Sequence, residues 1–429
     1  MENRNSGLGK GILIGISITL MTVLVLFSAG TWSGLLTING GSLMREDTSK
    51  SDSFVDNDDR DDDDDDLSDF EKRVIQKIRP VMKIMEEYYL EDYDESEMID
   101  GLVTGMLSAV GDPYTGYYTE ESYENLVESS QGVYYGIGVV VSQNVETGEV
   151  YVINPYEDCP GFEAGIRPGD IIYSVGGKPV TGEDLNEVVT WIRGAEGTTI
   201  EIEVLHENDT ELTKLVVERR KVEAHTIEFE VMENNIGYIQ ITEFDEITTK
   251  QFKEGMEELE SCGVEGIIVD LRDNPGGSLN AVIDILDTLL PKGIYTYLVD
   301  KDGNRQNYKG NHAASYEYPM VILVNENSAS ASELFTGAMS DYEKATVVGT
   351  TTFGKGIVQQ IFPLIDGSGI KVTMAKYYTP NGVCIHETGI EPDVVVELDE
   401  GEYPSMIEYE DDEQLQKAVE ILIEKMEEK

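Results

Sequence analysis

"GTTTFGKGIVQQ", residues Gly349 to Gln360, has two incompatible readings, and the choice between them decides the fold. Gly349 through Lys355 has the spacing G-x-x-x-x-G-K of a phosphate-binding loop. Such a loop hands its lysine to a Ser or Thr that binds magnesium and then opens a helix. Here Gly356 follows Lys355, and "IVQQIFPL" is β-branched and strand-like. Both requirements fail. As a strand, alternate residues share a face, so Lys355, Ile357 and Gln359 point the same way. Gln359 could then hold the Lys355 amine for a nearby hydroxyl. The neighbours Phe353, Gly354, Ile357 and Val358 are apolar and bring no acid. A lysine with its ordinary pKa of about 10.4 is charged and useless as a base, whereas burial away from carboxylates lowers that value by up to several units. Reaching about 7 would cost the fold on the order of 5 kcal/mol.

Outward from this stretch the chain alternates strands and helices. "IGYIQITEF", "TTKQFKEGMEELESCG", "VEGIIVDLR", "SLNAVIDILDTLL", "PMVILVNE", "SASELFTGAMSDY", "ATVVGT", "IVQQIFPL" and "GIKVTMAKYY" predict an α/β core with several buried strands. Two of its turns carry chemistry. In "VILVNENSASASELFTGAM" a buried strand runs through small residues into a helix whose first turn holds Ser330, close to free N–H groups and the positive end of the dipole. Ser330 and Glu333 also have capping-box spacing, so a purely structural serine fits the same pattern. In "IIVDLRDNPGGSLN" the turn Asn274–Gly277 can aim backbone N–H groups at a developing oxyanion, or simply join a strand to a helix. No G-x-S-x-G elbow occurs in the chain.

Before the core, "GVYYGIGVVVS", "GEVYVINPY", "GIRPGDIIYSVGGKPV" and "TTIEIEVLHEND" read as strands and turns, with a hairpin tip at Gly176-Gly177. The helix "TGEDLNEVVTWIRG" opens with Thr181 and Asp184 in capping-box spacing. This is the make-up of a compact peptide-binding module. Further upstream, "DFEKRVIQKIRPVMKIMEEYYL", interrupted by Pro80, and "SEMIDGLVTGMLSAV" have helical periodicity. "DEQLQKAVEILIEKMEEK" predicts a terminal amphipathic helix.

The 429 residues carry a formal charge of −53, which repels nucleic acid and anionic membranes. Part of the excess is the run Asp56–Asp66, a solvated linker without the glycine turn and spaced ligands of a calcium loop. Three scattered cysteines, Cys159, Cys262 and Cys384, are expected as buried free thiols, and the four histidines make no zinc signature. No metal or other cofactor is expected. "GILIGISITLMTVLVLF" follows Lys10, with no charge before Arg45, and Trp32 lies where an interfacial aromatic belongs. An uncleaved anchor with a cytoplasmic tail is favoured over a signal peptide cut near Ser28-Ala29-Gly30. The expected organisation is a tail (1–10), an anchor (11–33), an acidic linker (34–68), a helical unit (69–121), the peptide-binding module (122–206), the α/β core (207–400) and the terminal helix (401–429).

Taken together, "GMLSAVGDPYTGYYT", "YYGIGV", "AGIRPGDII", "IGYIQITEF", "VDLRDNPGG", "NSASASEL" and "TFGKGIVQ" closely resemble the C-terminal processing peptidases, or tail-specific proteases, over residues 70 to 400. The resemblance implies a ClpP/crotonase-like core preceded by a PDZ domain, and the N-terminal apolar segment places that globular part outside the cytoplasm of a bacterial cell, whether it is anchor or signal. The resemblance also implies Ser330 as nucleophile, Lys355 as general base and Gln359 as third member. An aspartate at the position of Asp341 is stressed in another branch, and a structural acid fits that position equally well. Oxyanion donors would be the N–H of Ala331 and that of Gly276 or Gly277. Tyr135, Gly136, Ile137 and Gly138 would form the loop that takes a substrate's terminal carboxylate. Implied partners are proteins with accessible apolar tails and, as is common among relatives, further copies of the chain, with the terminal helix as one interface. The competing classes are an inert PDZ scaffold, which binds tails without turnover, and an NTPase.

Overall fold

The computed structural model describes residues 67–428 except 145–146, 157, 207–208, 313, 399–403, 405–406, 408 and 410. These form two compact units, one ending at Gly111 and one beginning at Asp112. The predicted tail, anchor and nearly all of the acidic linker lie outside the described residues. Among the described residues no helix is long and apolar enough to cross a membrane.

The first unit contains helices Asp69–Tyr88 and Glu95–Ser108, capped by Ser68 and Asp94. Pro80 does not interrupt the first helix, as the sequence suggested, but lies inside it. Pro80 removes one backbone donor and crowds the carbonyl four residues before it, a cost of about 3 kcal/mol that the other turns of this 20-residue helix carry, while the freed carbonyl stays open to water because the helix has no buried residue.

In the second unit, the core sheet has the order Ile227–Met232, Ile236–Ile241, Gly266–Asp270, Met320–Val324, Ala345–Gly349 and Val394–Val395. Its first pair is antiparallel and the remaining pairs are parallel. "GIIVD" and "MVILV" are buried at every position because helices cover both faces of the sheet. Thr248–Ser261, Leu279–Leu289 and Ala331–Asp341 lie on one face, with Phe252, Met256, Ile285, Leu286 and Phe335 facing Ile239, Val269 and Ile322. The terminal helix, Glu413–Glu427, lies on the other, where Leu415, Ala418 and Leu422 meet Ile236, Ile268 and Val321. Arg272 pins this helix by bridging Asp270 and Asp412. The apolar face of this helix is therefore occupied within the chain.

A second, antiparallel sheet joins Gly116–Tyr118, Gly369–Tyr378, Gly293–Asp300 and Arg305–Gly310, with Ile357–Pro363 also paired to Gly369–Tyr378. The strand predicted after Lys355 is present, and no helix follows the lysine as a phosphate loop would require.

The peptide-binding module is a separate sheet in the order Val139–Gln143, Val150–Pro155, Ile171–Val175, Thr199–Leu205 and Thr213–Glu218, around its own core of Val152, Ile172, Val188 and Ile202. Its last strand, Thr213–Glu218, pairs with Thr199–Leu205 beyond residue 206. A two-stranded ribbon, Val133–Gly136 with Arg220–Glu223, runs at its entry and exit. Its helix spans Leu185–Ile192, so it begins after Asp184 and not at Thr181. Among the cysteines only Cys159 is buried; Cys262 is exposed and Cys384 intermediate, contrary to the expectation of three buried thiols.

Candidate active site

Three adjacent parallel strands build the site. Gly266–Asp270, Met320–Val324 and Ala345–Gly349 each end on the same edge, and each is followed by a turn: Leu271–Gly277, Asn325–Ser330 and Thr350–Gly356. Loops at the carboxyl ends of neighbouring parallel strands lie side by side. This brings the N-P-G-G, S-A-S-A-S and F-G-K-G segments together.

Ser330 sits at the head of helix Ala331–Asp341 with φ 56° and ψ −110°. For a side chain with a Cβ this backbone costs on the order of 1–3 kcal/mol and persists only where its surroundings enforce it. Two hubs do so. Asn274 accepts the Ala329 N–H and the Ser332 hydroxyl on its carbonyl, both at 3.0 Å, while its side chain donates to Ile241 O and accepts the Gly276 N–H. Glu333, fully buried, accepts four hydrogen bonds at 2.7–2.8 Å: from the N–H groups of Ser330, Gly354 and Lys355 and from the Thr352 hydroxyl. Burial pushes its pKa up, against those four bonds. The capping-box spacing of Ser330 and Glu333 thus marks a carboxylate that also welds the serine turn to the lysine turn.

Lys355 is 4% exposed, and loss of hydration lowers its pKa to about 8 despite the opposing pull of Glu333 and Asp112. The shift corresponds to roughly 3 kcal/mol. The acid-free setting expected from the local sequence is therefore corrected: both acids come from distant parts of the chain, and among the described residues the amine forms no ion pair with either. The amine lies over the Tyr114 ring, 4.8 Å from its centre. Among the described residues, no hydrogen bond joins it to Ser330 or to Gln359. Free enzymes often close such contacts only when substrate is bound. Gln359, 2% exposed, donates from Nε2 to Thr373 Oγ1 at 3.3 Å instead of reaching Lys355.

The two glycine candidates separate. The Gly276 N–H is taken by Asn274 at 2.8 Å, whereas the N–H groups of Gly277 and Ala331 have no acceptor among the described residues. Gly277 and Ala331 also line one cavity with Ser330, of about 20 Å³, whose other walls are Leu279, Leu334, Ile357, Val358 and Tyr377. A Cβ on Gly276 would lie 2.8 Å from Ala331 N, so this glycine lets the two turns touch. Asp341 stands at the far end of the helix, about 15 Å along its axis from Ser330, and accepts the Asn381 N–H at 2.7 Å.

In the peptide-binding module, Tyr135 and Gly136 belong to the ribbon, paired with Lys221 and Arg220. Ile137 and Gly138 lead into Val139–Gln143, an edge strand with one side unpaired in the sheet order. The N–H groups of Ile137 and Gly138 have no acceptor among the described residues, while their carbonyls bind the Gly161 and Tyr156 N–H groups.

Asn274, Tyr114 and Asp112 were missed by reasoning from the sequence. The only signal for the last two was their place in the quoted segment "GDPYTGYYT".

Residues 235–396 match peptidase family S41, residues 151–205 match a PDZ domain, and residues 24–122 match the N-terminal domain of the activating protease CtpB. Carboxy-terminal processing protease CtpB of Bacillus subtilis is 33% identical over 328 residues, covering 76% of this chain and 68% of the relative. Carboxy-terminal processing protease CtpA of the same organism is 36% identical over 317 residues, covering 74% and 67%. A solved structure of a putative S41 protease from Bacteroides fragilis has a similar fold, with TM-score 0.51 at 17% identity, covering 79% of this chain and 93% of that one. The chain belongs to peptidase family S41 and is a C-terminal processing serine protease with a PDZ domain.

Proposed function

We propose that the protein is a membrane-anchored endopeptidase that cuts extracytoplasmic proteins near their carboxyl ends, with Ser330 as nucleophile, Lys355 as general base and Gln359 as the residue that orients the lysine. The carrying observation is the Glu333 carboxylate, which bonds at once to the strained Ser330 turn and to the backbone of a buried, acidity-shifted lysine. Ser330 attacks the scissile carbonyl, Lys355 takes its proton and returns it to the leaving amine, and the N–H groups of Gly277 and Ala331 hold the oxyanion. The small apolar cavity beside Ser330 favours a small aliphatic residue on the acyl side of the cut. A substrate tail adds to the open edge of Val139–Gln143, and its carboxylate meets the N–H groups of Ile137 and Gly138. The uncharged stretch after Lys10 supports the anchor, with the catalytic part outside the cytoplasm. A second copy of the chain is proposed as a partner.

The test is cleavage of an unfolded substrate with an apolar tail, its products identified by mass spectrometry, by wild type and by the Ser330→Ala and Lys355→Ala variants. Both variants should lose specific cleavage. Full activity in either would refute the mechanism, and a wild type that binds the tail without turnover would make the protein a scaffold.

A further inference from the structure

The segment Asp112–Tyr118 precedes the PDZ domain yet lies against the catalytic residues. It is held there by the second sheet, where Gly116 pairs with Lys371 and Tyr118 with Gly369. Its first residues form a turn closed by Asp112, whose carboxylate accepts the Tyr114 N–H at 3.0 Å and the Thr115 hydroxyl at 2.6 Å. Thr115 Oγ1 in turn accepts the Thr373 N–H at 3.2 Å. The Thr373 side chain lies near enough to Asp112 to help hold its pKa down against burial. Thr373 Oγ1 then accepts from Gln359 Nε2 at 3.3 Å. Tyr114, from the same turn, places its ring against the Lys355 amine.

The direction of these bonds matters. A carboxylate can only accept, so a hydroxyl facing Asp112 directs its single proton there. Thr373 is left with lone pairs, which take the NH₂ end of the Gln359 amide and turn its oxygen the other way. An amide oxygen accepts an N–H of the lysine amine and leaves the nitrogen lone pair for the Ser330 proton. An amide NH₂ presented instead would donate to that lone pair and quench the base.

We propose that Asp112–Tyr118 is a positioning element of the active site, in which Asp112, through Thr115 and Thr373, fixes which end of the Gln359 amide is offered to Lys355 while Tyr114 seats the amine. This rests on Lys355 being the base. The charged and titratable groups around the amine are Asp112 and Tyr114 from this segment, Glu333 from the serine helix, and Lys371 and Tyr377 from the strand Gly369–Tyr378. Tyr118 lies under Lys371, and His386 faces Asp112. Asp112 raises the Lys355 pKa, so its loss lowers it.

The experiment measures kcat and KM on a short peptide across pH for wild type, Asp112→Asn, Thr373→Val and Thr373→Ser, with active enzyme counted by a covalent serine reagent. Asp112→Asn should lower kcat per active site ~10- to 100-fold with little change in KM, and move the acid limb of the profile to lower pH. Thr373→Val should lower kcat with a smaller movement of the limb, because the Asp112 charge remains, and Thr373→Ser should restore the rate. Wild-type kcat and pH limb in both Asp112→Asn and Thr373→Val overturn the proposal. So does a loss that disappears once active sites are counted. If Asp112→Asn does not fold, the Thr373 pair decides alone. Activity persisting in Lys355→Ala would instead sink the lysine-base reading, a separate outcome.

Discussion

The turns at Gly277/Ala331 and at Ile137/Gly138 each present backbone N–H groups without acceptors among the described residues, and they are built in opposite ways. Gly277 and Ala331 stand at the ends of fully buried parallel strands, braced by Asn274 and by four hydrogen bonds to Glu333. Ile137 and Gly138 stand at the open edge of the PDZ sheet, beside a strand with one free side. A site that stabilises a transient charge needs donors that do not reorganise during reaction. A site that captures a peptide end needs an unpaired edge to extend. Rigidity suits the first turn to its proposed oxyanion role and accessibility suits the second to its proposed capture of a tail, so damage to each should appear in a different kinetic constant.

The largest effect is expected at Glu333. In Glu333→Gln an NH₂ group must face part of a cluster made only of donors, which leaves buried N–H or O–H groups unpaired. Activity should fall more than 100-fold and stability by about 2–5 kcal/mol, measured by peptide hydrolysis and urea melts. A Glu333→Gln enzyme near wild type would show that the turns need no common brace.

Next comes pH. The Lys355 pKa is lowered to about 8 by burial, and in its proposed role as base the amine acts only when neutral. The rate should therefore be half-maximal near that pH and drop about tenfold per unit beneath it. A profile flat between the alkaline plateau and neutrality would remove the lysine from the chemistry.

A smaller, selective effect belongs to the PDZ loop. Gly138 has φ +70°, and a Cβ there would lie 2.1 Å from Cys159 Cβ, so Gly138→Ala must shift the loop. KM for a tailed protein should rise roughly 10-fold, since each 1.4 kcal/mol of lost docking is a factor of ten, while kcat on short peptides stays the same. Equal loss on both substrates would mean the two turns are not separable.

The smallest effect concerns Asp245, 4% exposed beside Glu243, with a carboxylate oxygen that has no partner. Burial foremost, and then the charges of Glu243 and Glu246, raise its pKa above that of the unfolded chain. The unfolded chain then releases this proton at lower pH than the folded one, so stability is full in acid and is lost as pH rises through the folded value. Asp245→Asn should flatten that decline and gain about 1 kcal/mol at pH 8, seen in thermal melts. An unchanged pH slope would show that Asp245 is ionised and solvated.

Much of the core could be read before folding was considered. "MVILV" and "GIIVD" read as buried strands because an unbroken apolar run must be covered on both faces, and S-A-S-A-S followed by glutamate read as a helix start. Pro80 misled because a local rule weighs one position, at about 3 kcal/mol, and leaves out the other turns of a 20-residue helix that carry that cost. Residues acting across the fold could not be read this way. Thr115 and Thr373 meet although 258 positions separate them, and Glu333 meets Gly354 across 21.

From the chain alone came the alternation of strands and helices, the reactive residue types and their place at the ends of strands, because these depend on periodicity and on interactions within a few residues. The packing of three parallel strands decided which acids approach Lys355, which glycine N–H is left without an acceptor, and why Gln359 bonds Thr373 rather than the lysine. Those outcomes depend on which distant groups share a small, water-poor space and on the direction each hydrogen bond must take there. Neither is a property of any segment taken singly.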